Sequence, residues 1–317
     1  MPQFIQRLDD PEIPPPYTFE GVVIHSFELR AQLAALQQRC DELLNIGSRE
    51  ERGFEYRPLL PYVALEVLNY PTMRSALPPF SEWGFITQHE AYVRFPVVKY
   101  DLFGPFLVPV EVSNFFPFLF VDNAWSAFSG RNVIGFPKVI GEIAEQSGNG
   151  GPYSASVKVP VFSKFLPQTQ QEPREVIRVQ TGVSLGSHPF SNATWPWLIT
   201  AFDGLAGAVE SLLLEVAEMI DPDLLSTIQL KQIRDAQDPT LACFQGLVHS
   251  DFEVANVSQP EFFESASVSL SAFDTLDIAG ALGLPVGNDP IDAVMAYVTT
   301  CDMSFGNTTN LFIHTDV

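Results

Sequence analysis

From residue 17 onward the chain is a succession of short apolar runs that alternate with polar residues and break at proline, glycine or polar clusters. Strand side chains point alternately to opposite faces, so this rhythm requires a sheet with a buried face rather than a helical bundle. Strands are expected at 17–24, 62–70, 85–99, 103–112, 153–161, 175–180, 241–254, 266–273 and 301–314. The run at 103–112 contains Pro105 and Pro109, which assigns it to an edge or a bulge and bends it. Helical periodicity is scarce. Leu29, Leu33, Leu36, Cys40 and Leu43 form one stripe, with Ser26 as its expected cap and an end near Gly47. Residues 198–220 carry a second stripe, and 289–297 opens with Pro290 as a short helix would. The aromatic stretch 115–128 reads as core packing or, alternatively, as an aromatic binding box.

Composition narrows the class of function. Hydrophobic residues make up 46% and charged residues 17%, a globular balance and not a disordered one. The formal net charge of −21 repels nucleic acid and anionic membranes, so neither is expected as a partner. Cys40, Cys243 and Cys301 are scattered and odd in number, which argues for reduced thiols. Residues 198–220, the most membrane-like segment, hold Asp203, Glu210, Glu215 and Glu218 and do not suit a bilayer. With no signal-peptide pattern at the N-terminus, a soluble cytoplasmic protein is expected. The histidines lack HxxxH or HxH spacing, which argues against zinc, and no cofactor is implied. No phosphate-binding glycine loop or GxSxG elbow occurs, and Gly148-Asn149-Gly150-Gly151 reads as a turn. Residues 1–16, acidic and ending in Pro14-Pro15-Pro16, read as an extended arm, and 17–317 as a single domain.

One lysine stands apart. Lys138 lies within SGRNVIGFPKVIGE, among Ile134, Phe136, Val139, Ile140 and Ile143. A lysine taken out of water tends to give up its proton, and the free amine is a nucleophile toward carbonyl carbon. The alternative is a strand lysine whose ammonium snorkels to the surface. If the first reading holds, Lys138 is largely buried and titrates well below a free lysine.

The pattern GRxxxGFPK, here Gly130, Arg131, Gly135, Phe136, Pro137 and Lys138, resembles the signature of the acetoacetate decarboxylase superfamily. In that family the lysine after the proline forms a Schiff base with an oxo acid, a role that falls on Lys138. The resemblance extends over 17–142 and 230–285, and is poor over 147–229. It implies that Glu66, in an apolar strand, and Glu90, six residues before Pro96, are active-site glutamates that move protons. Read from residues alone, Glu66 is equally an exposed acid on a half-buried strand. Arg131 and Phe136 are candidate substrate contacts, Arg131 having a structural alternative.

Two positions depart from the decarboxylase pattern. The lysine that follows the catalytic one is replaced by Val139, and the substrate-gripping arginine falls on Val22, leaving Arg94 or Arg131 to substitute. Burial, with Val139 excluding water, then has to activate Lys138 alone. What the resemblance implies is an α+β fold: a bent, mainly antiparallel sheet closing into a cone-like β-barrel with peripheral helices, assembled as a homo-oligomer. The expected function is a Schiff-base lyase acting on a small oxo acid or other carbonyl substrate, of aldolase–dehydratase or decarboxylase type. The alternative is a non-catalytic small-molecule-binding barrel on the same scaffold.

Overall fold

A computed structural model of the chain describes residues 4, 5, 7, 9–147, 152–187, 224–287 and 289–314. The first half runs β1 (Tyr17–Arg30), α1 (Leu33–Leu43), α2 (Arg49–Arg52), β2 (Phe54–Pro58), β3 (Tyr62–Ser75), β4 (Ile86–Phe103) and β5 (Phe106–Val121). It continues through α3 (Ala124–Ser129), β6 (Lys138–Ile140), β7 (Glu142–Ser147), β8 (Tyr153–Val161), β9 (Glu172–Thr181) and β10 (Ser184–Ser187). The second half has β11 (Leu224–Arg234), β12 (Ala242–Ala255), β13 (Glu261–Phe263), β14 (Ala266–Leu270), α4 (Ile278–Leu282), β15 (Ile291–Asp292) and β16 (Met295–Ile313).

Strands β1, β3, β4, β5, β11, β12 and β16 pair in that order, and β16 returns to β1, so the sheet closes into a barrel. Every ladder in the ring is antiparallel except β5 with β11. A separate sheet of order β15-β14-β9-β8-β7 lies against the barrel. Alternation sorts the side chains. Phe27, Leu29, Leu65, Val67, Val93 and Phe95 share one core with Tyr153, Val157 and Val179 of the second sheet. A five-stranded sheet does not fit within a seven-stranded barrel, so this face is the outside. The opposite face, with Val22, Leu68, Tyr70, Tyr92 and Phe116, is therefore the interior. Glu28, Glu66, Glu90 and Arg94 share its parity.

Several expectations change in the structure. Residues 25–30 continue β1 instead of opening a helix, because they pair with β3 on one side, and through Glu28 with β16 on the other. Ser26 is thus no cap, and α1 begins only at Leu33. Residues 289–297 are not helical either; β15 and the start of β16 take them, with Met295 to Val298 held in register against β1. The strand at 266–273 is shorter, and β5 runs on to Val121, absorbing half of the aromatic stretch into core. Pro109 does sit at a bulge, where the β4–β5 register shifts between Lys99 and Tyr100. The segments 198–220 and 148–151 lie outside the described residues. Among the described residues no helix is long and apolar enough to cross a membrane.

The segment before β1 turns at Asp9, with Asp10 N donating to the Arg7 carbonyl at 3.3 Å and Glu12 N to the Asp10 carbonyl at 2.8 Å, and it is fastened to the rest of the chain. Ile13 N donates to Ser129 Oγ at 2.9 Å, and Ser75 Oγ donates to the Pro14 carbonyl at 2.7 Å.

Candidate active site

Lys138 reaches the interior by a sequence of local devices. Asn123 caps α3, accepting from the backbone N–H groups of Trp125 and Ser126, which fixes Ser126 on the inward side. The helix then widens into a single π turn, Gly130–Ile134, a distortion found frequently at functional sites. Gly135, at φ +88°, ends it in the left-handed conformation that glycine adopts without penalty. The chain turns there and enters β6, where Lys138 pairs with the inward Leu119 of β5.

Lys138 is 8% exposed. Its Nζ donates to Ser126 Oγ at 2.7 Å and forms an ion pair with Glu90 Oε1. The same carboxylate oxygen accepts from Gln88 Nε2 at 3.2 Å and from Ser126 Oγ at 3.3 Å. Gly130 makes the fit possible: a Cβ there would stand 2.6 Å from both Cδ and Cε of Lys138. The expected shielding by Val139 is absent. Val139 projects the other way and is 38% exposed, so Gly130, Ser126 and the barrel wall bury the lysine instead.

A second ionic cluster lies beside the first. Arg94 grips Glu66 through two hydrogen bonds, Nη2 to Oε1 at 2.7 Å and Nε to Oε2 at 3.2 Å, and gives Nη1 to Asn114 Oδ1 at 3.1 Å. Ser26 Oγ also donates to Glu66, at 3.2 Å. Burial pushes the Glu66 carboxyl up, but the charge and hydrogen bonds of Arg94 outweigh it and leave it below the ordinary carboxylate range. Glu28 responds differently. Burial pushes it up to about 7, Arg94 opposes and Glu66 adds to the rise. Two cations therefore face three interior carboxylates, and beside Glu66 it is Glu28 whose charge the surroundings disfavour.

Of the residues expected to act together, Lys138 and Glu90 do meet. Glu66 faces the same interior but is held by Arg94, with no hydrogen bond or ion pair to Lys138 among the described residues. Arg131 reaches Lys138 only at its backbone, Nη1 donating to the carbonyl at 2.9 Å. Phe136 packs edge-on against Phe116 and lines a cleft together with Arg131. Glu28 and Ser126 escaped the sequence reading. Glu28 keeps inward parity with Ser26, a signal hidden by the competing helical stripe that begins at Leu29. No group of residues with metal-ligand geometry occurs among the described residues.

The acetoacetate decarboxylase family model matches residues 1–161, and the chain belongs to that family. No curated protein matches it in sequence. Among solved structures it is similar to acetoacetate decarboxylase from Legionella pneumophila, at 14% identity, TM-score 0.59, over 100% of this chain and 93% of that one. The enduracididine biosynthesis enzyme MppR, complexed with the condensation product of pyruvate and imidazole 4-carboxaldehyde, is similar at 15% identity and TM-score 0.58, over 96% and 92%. An acetoacetate decarboxylase-like enzyme from Sphingomonas wittichii RW1 follows at 16% identity and TM-score 0.55, over 95% and 94%. At these identities the structures establish the shared fold.

Proposed function

We propose that the chain is a Schiff-base lyase acting on a small oxo acid. The observation that carries this is the placement of Lys138 Nζ, buried inside the barrel against Glu90 and Ser126, in a member of this family. Glu90 takes a proton from the ammonium, and the neutral amine adds to the carbonyl carbon. The carbinolamine then loses its oxygen as water, with Glu90 returning a proton to it, and leaves an iminium. That iminium is an electron sink. Either a C–C bond to a carboxylate breaks and releases carbon dioxide, or an α-proton leaves and the resulting enamine adds to an aldehyde.

Interior charge favours the second course. Val22 is fully buried in an apolar cluster, and Arg94 is committed to Glu66 and Asn114. Decarboxylation needs the carboxylate held beside the iminium, whereas condensation needs chiefly the iminium and a proton carrier. The condensation product held by MppR supports the reading that this fold accommodates such chemistry. Glu66, with its charge fixed by Arg94, acts as a positioning group in this scheme, and proton transfer rests with Glu90.

Borohydride reduction in the presence of pyruvate, followed by mass spectrometry, tests the proposal. The expected result is a reduced pyruvate adduct on Lys138. One observation favours the rival, a non-catalytic binding barrel: the cleft lined by Arg131 and Phe136 does not include Lys138. Ligand binding with no adduct from either pyruvate or acetoacetate would select that rival.

A further inference from the structure

The barrel wall has a seam. β5 pairs with β11 only at Asn114 and Phe115, and with β6 only from Leu119 to Val121. On that side Phe116, Pro117 and Phe118 have no ladder partner among the described residues. A cleft of about 250 Å³ opens there, lined among others by Phe116, Arg131, Phe136, Pro137, Gln229 and Lys231.

The lining has a distinct chemistry. In a chain of net charge −21 it contains two cations and, among the described residues, no carboxylate. Lys231 is brought to the cleft by Gly135, where a Cβ would stand 2.9 Å from Lys231 Cβ and 3.1 Å from its Cα. Its Nζ donates to the Val133 carbonyl at 3.2 Å, which uses one of three donors. The acid acting on it is Glu12 of the N-terminal arm, which accepts from Asn132 Nδ2 at 2.9 Å. Gln229 is 1% exposed, and its Nε2 has no hydrogen-bond partner among the described residues. Thr227 Oγ1, two residues away on the same face, and Ser250 Oγ, paired opposite it, share that condition. Buried polar groups in folded proteins are nearly always paired, so a row of them beside a cleft points to a ligand that supplies acceptors.

We propose that this cleft is an anion subsite, in which Gln229 Nε2 and Lys231 Nζ bind a carboxylate carried on the substrate away from its reacting carbonyl. The inference rests on Lys138 being the Schiff-base lysine. Because Lys138 lies outside the lining, the group held in the cleft is not the one bonded to the attacked carbon. The substrate class is then an oxo acid whose carboxylate is not bonded to the carbonyl carbon; within it a 4-oxo acid, unlike a 3-oxo acid, has no carboxylate β to the iminium to lose, which fits the condensation course proposed above. Charge-assisted hydrogen bonds to a carboxylate are the stronger kind, which suits a site that must overcome the acidic surface.

Pentanoate carries the carboxylate and no ketone, so it reads the subsite whether or not Lys138 reacts; pentanamide is its uncharged counterpart. Titrations of the full chain at fixed ionic strength are expected to show pentanoate binding at least tenfold tighter. Lys231→Met should weaken pentanoate at least fivefold and leave pentanamide unchanged, while Gln229→Leu should weaken both, since a neutral donor serves either acceptor. Lys138→Met should alter neither, and thermal melts confirm that each variant is folded. Equal affinity for the two probes overturns the proposal, as does indifference to both cleft substitutions or loss of pentanoate binding in Lys138→Met. Failure to trap pyruvate on Lys138 would remove the Schiff-base role without changing the pentanoate result, so the two failures are separable. As the joint test, 4-oxopentanoate should give a borohydride adduct on Lys138 at lower concentration than 4-oxopentanamide, and equal trapping would overturn the assignment of substrate class.

Discussion

Two ion pairs lie side by side within one barrel, and their cations differ in kind. Arg94 meets Glu66 with a planar fork, spends a further donor on Asn114, and cannot release its proton. Lys138 meets Glu90 with a compact ammonium that also donates to Ser126, and an ammonium can be deprotonated into a nucleophile. Both clusters pay desolvation. Only in the second does the cation type leave a reactive atom behind, so the choice of lysine over arginine, more than burial itself, decides where chemistry is available.

The comparison breaks first at Lys138. Lys138→Ala should abolish the borohydride-trapped adduct completely, while Arg94→Lys should retain it; an adduct on any other lysine would transfer the nucleophile's role elsewhere. Next in size is the fixed pair. Arg94→Met strands Glu66 in the interior, and chemical denaturation should report a loss of about 3–5 kcal/mol, as for other broken buried pairs. A loss within error would mean that Glu66 is solvated after all.

Glu28 sharpens the contrast through pH. Its folded pKa, about 7, lies above the ordinary carboxylate value of 4.5. The folded state therefore holds the extra proton, and the associated stability is present below pH 4.5 and lost as pH rises through 7. From pH 5 to pH 8 wild type should lose about 2–3 kcal/mol relative to Glu28→Gln. Parallel urea titrations check this, and a difference independent of pH would show that Glu28 stays ionised. The smallest effect belongs to Gly130→Ala. The added methyl meets Lys138 Cδ and Cε, and overpacking of this kind costs about 1–3 kcal/mol. Because Lys138 Nζ is tethered to Glu90 and Ser126, trapping should slow by more than the stability loss implies. Unchanged trapping kinetics would mean that the lysine can shift without loss.

Legibility in the sequence followed the range of the interactions. The strand rhythm at 62–70 and 153–161 is local and led to the right elements, and the equally local GRxxxGFPK pattern pointed to a lysine that is buried in the barrel. The helix expected from Ser26 failed for a local reason as well. A three-to-four stripe beginning at Leu29 overlapped the alternation of Ser26, Phe27, Glu28 and Leu29, and ladders to β3 and β16 decided between them. Glu66 illustrates the non-local case. Its alternation was plain, yet whether its face was solvent or interior depended on β16 returning to β1, where Glu28 pairs with Met295 and Tyr17 with Phe305, a closure no local pattern encodes.

By itself, then, the sequence determined the strand-rich class, a single lysine set among apolar residues beside Gly135 and Pro137, and valine at positions 22 and 139. These follow from residue type and short-range spacing, where sterics and propensity act directly. Only the tertiary structure decided that Glu90 rather than Glu66 pairs with Lys138, that Arg94 claims Glu66, that Val139 faces outward, and that a cationic cleft opens between β5 and β11. Each of these depends on which strands become neighbours when the sheet closes. Coulombic and hydrogen-bond energies fall off within a few ångströms, so partners remote in sequence are selected only once that closure has set the distances.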